Sequence, residues 1–410
     1  MKKRKIQIGD FKFTKEDKEA INEVVESNRV TEHKQTRNFE KNWAKTIGTK
    51  YAVAVNSGTS ALIAGLHALK HLDGNKRKKV ITTPLTYIAT SNAIKLSGLE
   101  PVYCDINKRT FDIMPSEIEK ILLKEDPKDF LAILPVHLMG YPCDMDAINK
   151  IAKKNDLFVF EDACQAHDSK YKGKTVGSLS DLSVYSFYIA HNLQVGELGI
   201  VNTNNIKIKN LVKQIKSNGR LCHCDICMRM ENKCPEILKY IKQGGKGDFD
   251  PRFTHNILGF NFRANEFSTA LANVKLKEMD EINSKRRANV YYLNDGLRQH
   301  FETLQLPKYS EDVSYLGYPL IVKKGNRKDI TRKLEGKGIE TRSLFGCIPT
   351  QQPSYKDLKK EYEGKLPNVE YVGKNGFYIG CHQYLDKDDL DYVIKSFDEV
   401  INDKKRKISQ

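Results

Sequence analysis

Short apolar runs alternate with helical stretches through the first half of this chain, and that alternation limits it to few folds. Runs of strand length fall at 51–55, 80–83, 101–104, 131–136, 157–160, 183–188 and 199–201, with helical spacing between several of them, as at 60–69 and 146–153. A parallel strand pair needs a long crossover, usually a helix, and crossover helices cover both sheet faces, so buried parallel strands read as continuous apolar runs. The pattern predicts an α/β fold built on a mainly parallel, mixed sheet. Beyond it lie a long helical pattern at 264–287 and a smaller mixed segment with a strand-like run at 318–322. At 410 residues the chain exceeds the roughly 250 to 300 over which one core keeps growing. Two domains are expected: a large one over 1–280, interrupted by a cysteine-rich loop at 217–251, and a smaller C-terminal α+β one over 281–410.

Charge and hydropathy exclude some classes and leave others open. The net charge of +16, from 68 Lys and Arg against 52 Asp and Glu, suits anionic ligands in general. Its densest clusters, 2–5, 76–79 and 404–407, contain no interleaved aromatics of the kind that stack bases, so solvated faces are expected and no nucleic-acid partner. No apolar stretch approaches the roughly 20 residues of a membrane span. The basic start MKKRKIQIGDF lacks an apolar run after it, which argues against export and for a reducing, cytoplasmic setting.

Four segments carry chemistry. In AVAVNSGTSAL, 52–62, a strand runs into Ser and Thr at a helix start, which leaves backbone N–H groups aimed at an anion beside Gly58, Thr59 and Ser60. Tyr87 follows a strand in TTPLTYIAT. The run LFVFED delivers Asp162 at the carboxyl end of a buried strand, where parallel sheets place their ligand chemistry. The run SFYIAHNLQVGELG holds His191, a side chain that can move protons near neutral pH.

Together and in this order, these motifs resemble the DegT-type family of sugar aminotransferases dependent on pyridoxal phosphate. The resemblance spans roughly residues 9 to 401 and implies the aspartate aminotransferase-like, type I fold. It assigns the cofactor phosphate to Gly58, Thr59, Ser60 and Ser186, the ring face to Tyr87, the ring nitrogen to Asp162 and the ring hydroxyl to Gln165. The run GFNFRANEF resembles the segment whose asparagine reaches a neighbouring subunit's phosphate, so Asn261 implies a homodimer. At His191 the family's aminotransferases carry the lysine that forms a Schiff base with the cofactor aldehyde, which imidazole cannot do. Histidine there is the pattern of the family's sugar 3-dehydratases, which use pyridoxamine phosphate. Leu198 departs from the usual glycine.

Four of the nine cysteines crowd into GRLCHCDICMRMENKC as Cys222, Cys224, Cys227 and Cys234. Dense cysteine in a reducing compartment reads as metal binding, with zinc and iron-sulfur both open. Between Cys164 and Cys222 lie 57 residues, and one residue separates Cys222 from Cys224. This spacing, and TRSLFGCIPTQQPSY further on, resemble the iron-sulfur 3-dehydrase of ascarylose biosynthesis. The resemblance implies a cluster, two-iron in form, on Cys164, Cys222, Cys224 and Cys234, with a four-iron form if Cys227 joins. The implied activity is 3-dehydration of a nucleotide-linked 4-keto-6-deoxyhexose, with electrons from an NADH-dependent flavin reductase. Its rivals are a cluster-independent dehydratase of the GDP-colitose type, an aminotransferase-like protein with structural zinc, and a zinc-binding regulatory module.

Overall fold

The computed structural model describes residues 4–224 and 227–408. Seven strands, β1 (Tyr51–Val55), β2 (Lys79–Thr82), β3 (Glu100–Tyr103), β4 (Phe130–Leu134), β5 (Phe158–Asp162), β6 (Leu182–Ser186) and β7 (Gly199–Thr203), form one sheet. Their order is β1-β7-β6-β5-β4-β2-β3. Only β7 runs against its neighbours: it pairs antiparallel with β1 and β6, while the other pairs are parallel. The runs at 131–136 and 183–188 end sooner as strands than their apolar lengths suggest, the first at Leu134 just before Pro135, which has no N–H for a ladder. Strands β4, β6 and β7 are buried at every position, as a sheet covered on both faces requires.

Helix Gly58–Leu72 lies in the deepest layer, with ten buried residues. It approaches the sheet closely because Gly65 has no side chain: a Cβ there would stand 2.5 Å from Cζ of Phe160 on β5. A second, four-stranded antiparallel sheet joins Leu304–Gln305, Tyr318–Val322, Gly376–Ile379 and Arg342–Ser343 in that spatial order. One apolar cluster runs from Val53 and Phe160 to Leu320, Phe377 and Phe397, so the two sheets share a continuous core.

The expected boundary at 280/281 falls inside a single helix, Glu266–Leu297, whose 32 residues run on without a break. The cysteine-rich segment is not all loop: it contains helix Pro235–Lys242, none of whose side chains is buried. Among the described residues no helix is long and apolar enough to cross a membrane.

Candidate functional site

A cavity of about 660 Å³ opens at the carboxyl ends of the parallel strands, between the large sheet and the small one. Gly58, Thr59, Tyr87, Asp162, Cys164, Gln165, Ser186 and His191 all reach its wall. Segments far apart in sequence, from Gly58 to His191, converge there because each follows, or ends, a strand that points the same way.

The anion end is built from the N-terminus of helix Gly58–Leu72. Ser57 caps it, its hydroxyl accepting from the Ser60 N–H at 3.1 Å. Gly58 lies against Ser186, where any Cβ would come within 2.5 Å of the serine Cβ and 2.9 Å of its Oγ. The first helical N–H groups and the Ser186 hydroxyl are thereby brought to one spot. Ser60 does not line the cavity; its hydroxyl is 3.0 Å from that of Ser57 and belongs to the cap.

Asp162 forms the floor. Its Oδ2 accepts from the Thr90 hydroxyl at 2.9 Å and its Oδ1 from the Cys164 N–H at 3.2 Å. Burial pushes this carboxyl above its ordinary range, and those hydrogen bonds, with His137 nearby, oppose the rise. The neighbouring Glu161 points to the other face of β5, as strand alternation demands, and is fully satisfied there by His137, Gly177, Leu179 and Ser180. Gln165 has its amide orientation fixed by the Met139 N–H, which donates to Oε1 at 3.0 Å and leaves the NH₂ end for the cavity.

His191 is held by its Nδ1, 2.9 Å from the Ser186 carbonyl oxygen. A carbonyl only accepts, so Nδ1 carries the hydrogen in the neutral ring and Nε2 keeps the lone pair. Burial pushes this imidazole down to about 4, with the Ser186 contact opposing and Arg286 adding to the depression. It is a proton acceptor. No lysine stands among the described residues that line the cavity.

Several wall residues had no assigned role in the sequence reading. Arg342, Phe345 and Gln352 come from TRSLFGCIPTQQPSY, and Thr90, Tyr188, Glu197 and Tyr378 from elsewhere. Tyr87, 59 % exposed, meets Phe345 edge-on at 6.4 Å, so the two form an aromatic rim. Leu198 is fully buried among Phe39, Trp43 and Phe187 and does not reach the cavity. Asn261 also lies outside its own chain's cavity, exposed, on a bridge to Ser217.

The cluster expected on Cys164, Cys222, Cys224 and Cys234 finds no support in the structure. Among the described residues no three His, Cys, Asp or Glu side chains gather into a group that could hold a metal. Cys164 sits on the cavity floor, where burial and the Asp162 carboxylate push its thiol well up. Cys222, Cys224, Cys227 and Cys234 belong to the 217–251 segment, where burial, and after it the neighbouring Cys222, push the Cys224 thiol up to about 11. All nine cysteines are free.

A mainly parallel seven-stranded sheet with one antiparallel strand, a phosphate-type helix terminus and a buried aspartate at the end of a central strand make up an aspartate aminotransferase-like pyridoxal-phosphate fold. A solved GDP-4-keto-6-deoxymannose-3-dehydratase with a trapped PLP-glutamate geminal diamine superposes with a TM-score of 0.82, at 26% identity over 96% of this chain and 100% of that one. The chain belongs to the DegT/DnrJ/EryC1/StrS aminotransferase family, whose sequence pattern matches residues 12–398. Its relatives divide between two reactions. It is 29% identical to the dTDP-4-dehydro-2,6-dideoxy-D-glucose 3-dehydratase of Saccharopolyspora spinosa, over 94% of this chain and 84% of that one. It is 30% identical to the GDP-perosamine synthase of Escherichia coli O157:H7, over 96% and 97%.

Proposed function

We propose that this protein is a nucleotide-sugar 3-dehydratase that uses pyridoxamine phosphate and removes the 3-hydroxyl of a nucleotide-linked 4-keto-6-deoxyhexose. The observation that carries this reading is the cavity wall, which offers an imidazole and no lysine. The residues present suit the cofactor: the glycine-lined helix terminus and Ser186 suit its phosphate, and the buried Asp162 suits a protonated ring nitrogen. When bound, the cofactor supplies the amine that condenses with the 4-keto carbon and a ring that takes up electrons.

The chain's own groups do the rest. Gly58, Thr59 and Ser186 hold the phosphate, Asp162 keeps the ring nitrogen protonated, Gln165 donates to the ring hydroxyl, and Tyr87 covers the ring face. With the cofactor bound, His191 Nε2 would take a proton from the carbon that bears the amine and pass it to the departing 3-hydroxyl, which would leave as water. Arg342 at the small-sheet edge of the cavity suits the substrate's diphosphate. Asn261, turned away from its own cavity, is assigned to the phosphate of a second copy's site, and the working unit is a homodimer. The large sheet and the loops that follow its strands supply the cofactor end of the cavity, and Arg342, Ser343 and Tyr378 of the small sheet supply the facing wall.

The cluster-independent form is favoured over the iron-sulfur one. No metal group is assembled among the described residues, and the solved 3-dehydratase with its PLP-glutamate adduct supports glutamate as the source of the amine. The test is to incubate the protein with pyridoxamine phosphate, glutamate and GDP-, CDP- or dTDP-linked 4-keto-6-deoxyhexoses, without reductase. A 3-deoxy product is expected. A 4-amino sugar would replace this reading with transamination, and 3-deoxygenation that requires a flavin reductase would restore the redox one.

A further inference from the structure

His191 stands in the connection between β6 and β7, residues 187–198, outside any helix or strand. Its ring is held through Nδ1 by the Ser186 carbonyl, and its N–H closes a turn onto the Tyr188 carbonyl at 2.9 Å. Both bonds run within the connection or to the end of β6, so they fix the imidazole against its own loop and not against the rest of the site. A side chain that must meet one atom of a bound molecule has to be held to within about 0.5 Å.

The next residue supplies the missing restraint. Asn192 is 1 % exposed, and it does not join Ala190 and His191 in the cavity wall, so its side chain turns away from any substrate. Its Nδ2 donates to the carbonyls of Ser314 at 3.2 Å and Tyr315 at 3.4 Å and to Oδ1 of Asn283 at 3.2 Å. Backbone carbonyls only accept, which fixes the amide with its NH₂ end toward them. Asn283 must then present its oxygen to Asn192, and its own NH₂ end reaches the His167 carbonyl at 2.9 Å. We propose that Asn192 is a positioning residue for His191, an amide that fastens the 187–198 connection to the long helix and to the segment entering the small sheet, and so aims Nε2 into the cavity.

The physical ground is that every anchor of this amide is itself tied down. Asn283 is fully buried within helix Glu266–Leu297. The Ser314 N–H donates to the Ser169 hydroxyl at 3.0 Å, and that hydroxyl donates to the Gly140 carbonyl at 2.7 Å. The Tyr315 carbonyl also accepts from Arg286 Nη1 at 3.1 Å, one turn along the helix from Asn283. Through Asn283 the restraint reaches His167, on the same stretch after β5 as Asp162 and Gln165. The imidazole and the carboxylate are thereby set in one frame. A leucine would fill the volume of Asn192, and burying an amide instead costs desolvation that its hydrogen bonds must offset. What the amide adds is direction.

That His191 is the catalytic base rests on the function proposed above; that Asn192 holds its ring in place does not. The test follows the exchange of the His191 Nδ1 hydrogen with water by nuclear magnetic resonance, in cofactor-free protein, the signal being assigned by its loss in His191→Asn. The parent, Asn192→Leu and Asn192→Ala are compared, with near-ultraviolet circular dichroism to establish folding. Exchange should be about tenfold faster or more in both variants. Turnover should fall about tenfold to a hundredfold in kcat with KM and cofactor affinity held within about twofold, since a misplacement of about 1 Å costs that much in rate. Asn283→Leu should act in the same direction, and the two leucine changes together should cost less than the product of their separate effects. Were Asn192 only a support for the 314–315 carbonyls, exchange at His191 would stay parental, and parental exchange in a folded Asn192 variant overturns the proposal whatever turnover does. Should neither variant fold, the parent decides. The His191 backbone N–H and the exposed Lys365 N–H close the same kind of turn, at 2.9 and 3.0 Å. Hydrogen exchange should be slower at His191, and equal exchange at the two overturns the proposal. Exchange that responds as expected in a protein that dehydrates no nucleotide sugar sinks the functional reading alone.

Discussion

In the proposed reaction His191 and Asp162 divide the proton work of the site, one gaining a proton and the other securing one on the cofactor ring. Replacing His191 with Asn should lower dehydration by about two to four orders of magnitude, the usual share of general acid-base catalysis. His191→Lys should also lower it, and should yield a borohydride-trappable covalent link to pyridoxal phosphate, read by mass spectrometry. Undiminished 3-deoxygenation in both variants would remove His191 from the mechanism. Thr90→Val tests the floor of the cavity. It deletes the hydroxyl on Asp162 Oδ2 while keeping the volume, and a hydrogen bond to a charged group contributes about 1.5 to 3 kcal/mol. Cofactor affinity measured by fluorescence titration should fall about tenfold or more; an unchanged affinity would show that Asp162 needs no such support. At this scale legibility was uneven. Asp162 and His191 stood out because an acid ending an apolar strand and an imidazole in a lysine's place are local anomalies. Thr90 and Arg286 did not, because a threonine or an arginine on a helix looks the same in sequence whether it faces water or a buried acceptor such as the Asp162 carboxylate or the Tyr315 carbonyl.

Among the elements, the strands of the large sheet were readable since burial on both faces leaves an apolar run that needs no partner to be recognised. Strand direction was not: nothing in GIVNT distinguishes the antiparallel β7 from its parallel neighbours, and its place follows from Val55 facing Gly199 across the sheet. The long helix was underestimated at its C-terminal end because Arg286 and Asn289 interrupt the apolar spacing while being buried. Its first residue, Glu266, does another job. The carboxylate accepts from the N–H groups of His33, Gln35 and Thr36 and from the Thr36 hydroxyl at 2.6 to 2.9 Å, and so caps helix Lys34–Ile47 from outside. That helix has no side-chain cap of its own, which makes the external carboxylate its anchor. Glu266→Gln, nearly isosteric but uncharged, should cost about 1 to 2 kcal/mol in urea unfolding. Hydrogen exchange should rise first at residues 34–37. Exchange that rises evenly across the protein would show that Glu266 acts on the whole fold and not on this helix.

For the whole molecule, the clearest consequence is how stability responds to acid. Burial lowers the proton affinity of His67, His191 and His382 to about 4, and puts that of His167 well below its ordinary value. The unfolded chain binds protons on these rings near 6.5, so between about 6.5 and 4 it holds more protons than the native state does. The contribution is complete above pH 6.5 and is lost as the pH falls through that window, at up to about 1.4 kcal/mol per pH unit for each ring. The urea midpoint should therefore be flat from pH 8 to 7 and drop steadily from 6.5 to 5, above the range in which ordinary carboxylates titrate. Substituting phenylalanine for His67, which already packs edge-on against Phe260, should shallow that slope by about one ring's share. Were the urea midpoint level down to pH 5, these histidines would have to find proton-accepting partners in the folded protein. The neutral imidazoles of His67, His167, His191 and His382 would then not be the state in which the enzyme works.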